Sequence, residues 1–292
     1  MRNLYRMSLI FNIEWGHTME FTKMQGAGND FIVFRENMFN GIYMRDTALK
    51  LCDRHFGIGA DGLILVCESD KYDAKMRVFN SDGSEAEMCG NGIRCFSKYA
   101  YDRGIVDKKK MNIETSAGLI RPEVFLDNVG KVVKVKVDIG KPSLQRKNIP
   151  VKGDGTFIRE PLTILGKTFL ISAVNTGVPH AVIFLDDIKN FDITYYGPAI
   201  EKNEIFTAGI NVDFVQVLGK NNLKMKTWER GAGLTLACGS GACAAAYISY
   251  ITGYTERKVD INLPGGDLYI EIEDSIYMTG PCKEVYSGNI SY

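Results

Sequence analysis

Apolar residues along this chain fall in short runs that end at turn formers. Residues 31–34 (Phe-Ile-Val-Phe), 63–66 (Leu-Ile-Leu-Val) and 131–139 read as strands. The last of these mostly alternates, as a half-exposed strand does. Further strands are expected at 181–185, 212–218, 259–263 and 268–272. Helical spacing is rare: residues 46–55 carry it, and residues 200–206 are a second candidate. Two segments stand apart. Cys89-Gly90-Asn91-Gly92 opens a helical stretch that stops at Gly104, and Cys238-Gly239-Ser240-Gly241 opens another that stops at Gly253. A glycine just past the last turn is a common helix stop. The second stretch is small or apolar on nearly every face, which predicts burial on all sides.

The two cysteine turns lie half a chain apart, and each follows a polar loop that leads into a strand. Asn29 precedes Cys89 by 60 residues, and His180 precedes Cys238 by 58. This matched spacing predicts a duplicated fold with one cysteine turn per copy. The seam is expected between Gly140 and Gly155, a stretch rich in turn formers. The predicted architecture is two mostly β units, each with one internal helix.

Composition narrows the function classes. The 292 residues suit about two domains, at roughly 150 residues each. Lys plus Arg and Asp plus Glu both number 35, whereas a dedicated nucleic-acid binder carries a basic excess. No run approaches the roughly 18 apolar residues of a membrane span. The seven cysteines, Cys52, Cys67, Cys89, Cys95, Cys238, Cys243 and Cys282, are an odd number and do not look like a secreted disulfide framework. A reducing compartment, and so a cytoplasmic protein, is expected. Residues 1–18 have no signal-peptide core and read as an N-terminal extension of unknown role.

A cysteine placed just before a glycine-rich helical turn faces unsatisfied backbone N–H groups, which favour negative charge. Such a thiol shifts toward thiolate, and the same N–H groups hold a carboxylate. One such turn would suggest a nucleophile. Two, in matched halves, suggest two proton-transfer groups facing one carbon. That arrangement suits inversion of a stereocentre α to a carboxylate, in which one base removes the proton and an acid on the other face returns one. The competing reading is two buried core cysteines. The adjacent Glu229 and Arg230 suit the ammonium and carboxylate of one zwitterion, or form a surface ion pair of little worth.

Residues 24–31 (Met-Gln-Gly-Ala-Gly-Asn-Asp-Phe), 59–62 (Gly-Ala-Asp-Gly), 79–95, 175–180 (Asn-Thr-Gly-Val-Pro-His), Asn211-Val212, Glu229-Arg230-Gly231 and 237–243 (Ala-Cys-Gly-Ser-Gly-Ala-Cys) together make the chain resemble the diaminopimelate epimerase family. The resemblance runs from about residue 20 to the C-terminus. It implies interconversion of LL- and meso-2,6-diaminopimelate, in lysine and peptidoglycan precursor synthesis, with no cofactor and no metal. By resemblance Cys89 and Cys238 match the two acid/base residues. Gly90, Asn91, Gly239 and Ser240 match the backbone that holds the reacting carboxylate. Asn29, Asn80, Asn175, Asn211, Glu229 and Arg230 match the grip on the amino and carboxylate groups. The implied fold is α/β (α+β), two pseudo-symmetric domains with a curled, mostly antiparallel sheet around a central helix in each and the active site in the cleft between them. The expected division is 19–138 plus 282–292 for the half carrying Cys89, and 139–281 for the half carrying Cys238. Leu234 and Thr207 depart from the family's more frequent glutamate and proline.

Other signals weigh less. Gly57 to Gly62 spells G-x-G-x-x-G, but the expected helix precedes it and the strand follows, the reverse of a dinucleotide site. Cys89, Cys95, Cys238 and Cys243 lack the spacing of a zinc knuckle. His180 reads equally as a structural residue or as one near the reacting centre. The rival functions are a racemase of the same fold with a single-headed amino acid, a non-catalytic amino-acid binding module, and a thiol hydrolase. The expected partner is the small-molecule substrate, with no nucleic acid and no membrane, and a homodimer stays open.

Overall fold

The computed structural model describes residues 18–39 and 43–291. The N-terminal extension lies outside these residues except for Thr18, which opens the first strand. Among the described residues no helix is long and apolar enough to cross a membrane.

Two sheets build the molecule, and they repeat one plan. In the first, Thr18–Gly26 pairs antiparallel with Asn29–Arg35, which runs parallel to Gly62–Cys67, which pairs antiparallel with Ala74–Asn80. Ile113–Thr115 then lies parallel to Ala74–Asn80 and turns back into Gly118–Ile120. In the second, Lys167–Asn175, Pro179–Phe184, Asn211–Gly219 and Asn222–Glu229 follow with the same relative directions. Lys258–Asn262 is parallel to the last of these and turns back into Leu268–Ile272. Each half places a short helix in its first parallel crossover: α1 (Met44–Cys52) in one. The cysteine turn and its helix fill the second crossover: α2 (Gly90–Asp102) in the first half. The matching helices of the second half are α3 (Ile193–Glu201) and α4 (Gly239–Ile251).

The expected strands are present, and the helices α2 and α4 start and stop where the cysteine turns and glycines predict. Gly104 and Gly253 take φ values of 66° and 80°, the left-handed region that ends a helix cheaply only at glycine. Two helix expectations shift. The stretch 46–55 ends at Cys52, because the Asp53 carboxylate accepts from the N–H groups of His55 and Phe56 and wraps the chain into a turn. The expected helix at 200–206 is not formed: only Ile200 and Glu201 are helical, as the end of a helix that begins at Ile193, and turns follow them. Asp192 caps it by accepting from the Tyr195 N–H at 3.0 Å, and Gly197 and Pro198 lie inside it, where their low propensity hides the helix.

Each central helix is wrapped by its own sheet. Ile93, Cys95, Phe96 and Ala100 of α2 pack among Met24, Val33, Ile64 and Val78. Ala242, Ala244, Ala245 and Ile248 of α4 pack among Val174, Val215, Val259 and Met278. Small residues on α4 let the sheet approach its backbone closely, which explains why nearly every face of that helix is buried.

Two connections tie the halves. Lys283–Ser291 leaves the second sheet and pairs along Thr18–Gly26 at the edge of the first. Val132–Gly140 is hydrogen-bonded in the second sheet beside Ile276–Pro281, yet Val132, Val135 and Val137 pack into the core around α2. The expected division at 138 and 139 falls inside this strand, which serves both cores. The turn at Ala27 lies against the second half so closely that a Cβ on Gly265 would collide with the Ala27 carbonyl.

Candidate active site

Each cysteine occupies the N-cap position of the helix that it precedes, and the Cys89 side chain also makes a capping bond. Cys89 takes extended backbone angles at the start of α2, and its sulfur accepts from the Gly92 N–H at 3.4 Å. Cys238 stands in the same place on α4, with Ser240 Oγ 3.4 Å from its sulfur. Repetition of one strand–turn–helix plan therefore puts two thiols on two helix N-termini, where backbone N–H groups converge.

The two N-termini meet. Asn91 donates from Nδ2 to the Ala237 carbonyl at 3.5 Å, across the boundary between the halves. A Cβ on Gly239 would stand 3.0 Å from Met278 Sδ and 3.7 Å from Asn91 Oδ1, and one on Gly90 would stand 3.2 Å from Met278 Cε. Met278 thus lies against both helix starts, and a side chain on either glycine would press into that contact.

The surroundings of the two thiols differ. Burial pushes the Cys89 thiol above its usual value, while the N–H groups of Gly92 and Asn91 and the Arg94 cation pull it down and Glu229 pushes it up. Burial raises Cys238 as well, reinforced by the carboxylates of Glu229 and Asp213 and opposed by the Gly241 N–H. Burial also raises Glu229, whose Oε1 accepts from Thr235 Oγ1 at 2.6 Å.

On the first side Asn29 presents its amide in one orientation. Nδ2 donates to Asp61 Oδ2 at 2.7 Å, so Oδ1 faces Asn91 Nδ2 at 3.2 Å and the Cys89 sulfur at 4.0 Å. Asp61 belongs to a charged cluster with Arg54, Asp30 and Lys23. Burial opposes charge on Asp30, but its bonds to Arg54 and Lys23 win and hold it well below the usual carboxylate range.

On the second side a buried chain replaces that cluster. Thr227 Oγ1 donates to Asp213 Oδ1 at 2.7 Å, and His180 Nδ1 lies 2.8 Å from Asp213 Oδ2. A carboxylate only accepts, so Nδ1 carries the proton. In the neutral imidazole Nε2 then accepts from Ser240 Oγ, 2.9 Å away. Thr176 Oγ1 donates to the Ser240 carbonyl at 3.0 Å. His180 was open between two readings, and the structure joins it to Cys238 through Ser240.

The remaining grip residues lie at the same strand ends. Asn211 and Arg230 belong together, since Asn211 Oδ1 accepts from the Arg230 N–H at 2.9 Å and its Nδ2 donates to the Pro179 carbonyl. Arg230 Nη1 donates to the Ala208 carbonyl at 2.8 Å. Glu229 and Arg230 do not pair with each other: Glu229 turns toward Thr235 and Cys238, and Arg230 turns toward Ala208. Asn175 holds Asn148 and Gly177, and Asn80 holds Ser84, each within its own half. Among the described residues no group of three His, Cys, Asp or Glu side chains is placed to hold a metal ion.

Arg94, Asp213, Thr227 and Met278 escaped the sequence reading. Arg94 had no signal of its own, because it shares its side of the helix with Asn91, Ser97 and Lys98. Met278 had none, because its place between the glycines depends on a strand that returns from the far end of the chain.

Comparison with known proteins agrees with this geometry. The family model for diaminopimelate epimerase matches residues 21–145 and 172–285. A diaminopimelate epimerase of Caldanaerobacter subterraneus is 51% identical over 93% of this chain and 99% of its own. That of Heliobacterium modesticaldum is 47% identical, with the same coverage. Among solved structures, a phenazine biosynthesis protein of the PhzF family from Bacillus anthracis superposes with a TM-score of 0.69 at 14% identity, over 94% of this chain and 99% of its own. A hydroxyproline epimerase from Agrobacterium vitis does so at 0.66 and 12% identity, over 95% of this chain and 93% of its own. The distant structures share the fold, and the family model and the close relatives cover most of the chain: the chain belongs to the diaminopimelate epimerase family.

Proposed function

We propose that this protein interconverts LL- and meso-2,6-diaminopimelate by moving protons between one α-carbon and the thiols of Cys89 and Cys238. The observation that carries this reading is the meeting of two cysteine-capped helix N-termini. A carboxylate seated on the N–H groups of Gly90, Asn91, Gly239 and Ser240 would have its α-carbon between the two sulfurs. The same N–H groups stabilise the charge that develops on that carboxylate when the α-proton leaves.

One thiolate takes the proton while the opposite thiol gives its own, so each turnover inverts the carbon and exchanges the protonation states of the two cysteines. Asn29, Asn80, Asn175, Asn211, Glu229 and Arg230 hold the amino groups and the distal carboxylate. This division of labour needs no cofactor. The reading divides the chain into residues 19–138 with 282–292 and residues 139–281, with the substrate between them. It places the enzyme in the cytoplasm, where thiols stay reduced.

Incubation of the purified, reduced protein with LL-diaminopimelate, followed by chiral chromatography, is expected to yield an equilibrium mixture with the meso isomer. Dialysis against a chelator beforehand is expected to leave the rate unchanged. No meso isomer under reducing conditions contradicts the reading. Equal or faster turnover of a single-headed amino acid would favour the racemase alternative.

A further inference from the structure

Arg94 is buried completely, with 0% exposure, and among the described residues no carboxylate is paired with it. A guanidinium does not lose its proton in a protein, and burying it without a counter-charge is costly. It is held instead by neutral oxygens and a sulfur. Nη1 donates to the Gly90 carbonyl at 2.9 Å, Nη2 to Asn91 Oδ1 at 2.8 Å and Nε to the Pro281 carbonyl at 3.3 Å, with Met278 Sδ 3.7 Å from Nη1. All of these partners belong to the site or border it.

The titratable groups that face Arg94 are all thiols: Cys89 and Cys95 from the first half, Cys243 on α4 and Cys282 beside the crossing strand. Burial pushes Cys95 well above its usual value. It pushes Cys243 up to about 12 and Cys282 up to about 11. Cys89 alone among them is half-exposed and caps a helix. In the second half, the residue five places after the catalytic-turn cysteine is Cys243, where the first half has Arg94. The cation therefore has no counterpart on the Cys238 side.

What Cys238 has is the opposite. Glu229 and Asp213 face it, with Glu229 also facing Cys89. The hydrogen-bond chain from Asp213 through His180 leaves Ser240 Oγ donating to Nε2 in the neutral imidazole, so that Ser240 is an acceptor for a Cys238 S–H. One thiol is placed beside a buried cation, and the other at the head of a chain that accepts its proton in a hydrogen bond.

We propose that Arg94 is a positioning residue whose charge makes Cys89 the first of the two thiols to ionise, with Cys238 kept as the thiol. It acts directly through the field at Cys89. It also acts through Asn91: by donating to Oδ1 it turns the Asn91 amide so that Nδ2 faces Asn29 Oδ1 and the Ala237 carbonyl. Proton balance is simple. In the first half-cycle the substrate α-proton passes to Cys89, and the Cys238 proton passes to the opposite face of the carbon. A proton returning from Cys89 to Cys238 through solvent restores the resting state.

This inference rests on the proton-transfer reading, but its test needs no substrate. The reduced protein is alkylated with iodoacetamide across a pH series, and each cysteine is followed by peptide mass spectrometry. The pH midpoint, which reports the thiolate, is compared rather than the rate, which also reports exposure. Cys89 is expected to titrate at least about one pH unit below Cys238. Arg94→Met is expected to raise the Cys89 midpoint by about one pH unit and leave that of Cys238 in place. Arg94→Lys, which keeps the charge, is expected to keep the Cys89 midpoint low. Cys238 titrating first, the two titrating together, or an unchanged Cys89 midpoint in Arg94→Met overturns the proposal. Should Arg94→Met not fold, Arg94→Gln takes its place, and an unchanged Cys89 midpoint in that variant overturns the proposal. A failed alkylation order alongside intact epimerase activity would overturn the role of Arg94 and leave the proton-transfer reading standing.

Discussion

Replacing Cys89 by alanine is expected to lower kcat for diaminopimelate inversion by about 10²- to 10⁴-fold, and replacing Cys238 by alanine to do the same. That is the range a positioned proton donor or acceptor contributes. The two losses should be of similar size, because inversion needs a group on each face and neither thiol can stand on both sides. Stability should change little. Cys89 is half-exposed and Cys238 is a small side chain at a helix start, so removal of either sulfur leaves a small void worth about 1 kcal/mol. Activity assays paired with thermal denaturation separate the two effects. A variant that folds normally and keeps more than about a tenth of wild-type kcat would remove that cysteine from the mechanism. The double variant should be no more than marginally worse than either single one, since groups that act as a unit are not additive.

Asp213→Ala is expected to cost several kcal/mol of stability, about 1–3 kcal/mol for each buried donor left without its acceptor. Asp213 and His180 have 0% exposure. Without the carboxylate, the donors Thr227 Oγ1 and His180 Nδ1 lose their acceptors in a place that water does not reach. Asp213 also lies against the start of α4, where a Cβ on Gly241 would collide with its Oδ1. Its loss opens space beneath the helix turn that carries Cys238 and Ser240. Asp213→Asn keeps the volume and one acceptor, so it is expected to cost less stability while still reducing kcat through a misdirected His180. Urea denaturation with a fitted m value measures the first effect and steady-state kinetics the second. A stability loss below about 1 kcal/mol in Asp213→Ala would mean that the chain from Thr227 to Ser240 is replaceable by water.

Much of this architecture could be read before any coordinates. The two cysteine turns, their glycine-rich helix starts and the near-equal spacing from Asn29 and His180 announced a duplicated plan, because backbone N–H groups at a helix start impose the same local sequence wherever a thiol and a carboxylate must meet. The family resemblance named the fold and the substrate. Other features stayed hidden for physical reasons. Helix α3 contains Gly197 and Pro198, whose propensities oppose a helix, and is held by packing. The strand Asn222–Glu229 mixes lysines with apolar residues and gains its order from neighbours in the ladder. The partners of Arg94 lie on the segment from Gly90 to Asn91 and, far away in sequence, at Met278 and Pro281. Only the crossing of the two halves brings them together.

The differences between the halves are where function was least legible. The duplicated plan predicts two equivalent thiols. The structure instead sets Asn29, Asp61 and Arg94 around one and Asp213, His180 and Ser240 around the other. The fold alone does not select a substrate, since solved structures with this fold include a hydroxyproline epimerase and a methylitaconate isomerase. On the proposed reading, selection falls to side chains at the strand ends, among them Asn211 and Arg230.

The most direct test of the two-thiol account is hydrogen exchange during turnover in deuterated water. LL-diaminopimelate incubated with the reduced enzyme and followed by NMR should lose the signal of one α-proton and gain deuterium at that carbon alone, with the meso product labelled from its first appearance. Formation of meso product that retains the original α-proton, or deuterium entering both α-carbons of the LL isomer with no meso product, would contradict two thiols working on opposite faces of one carbon.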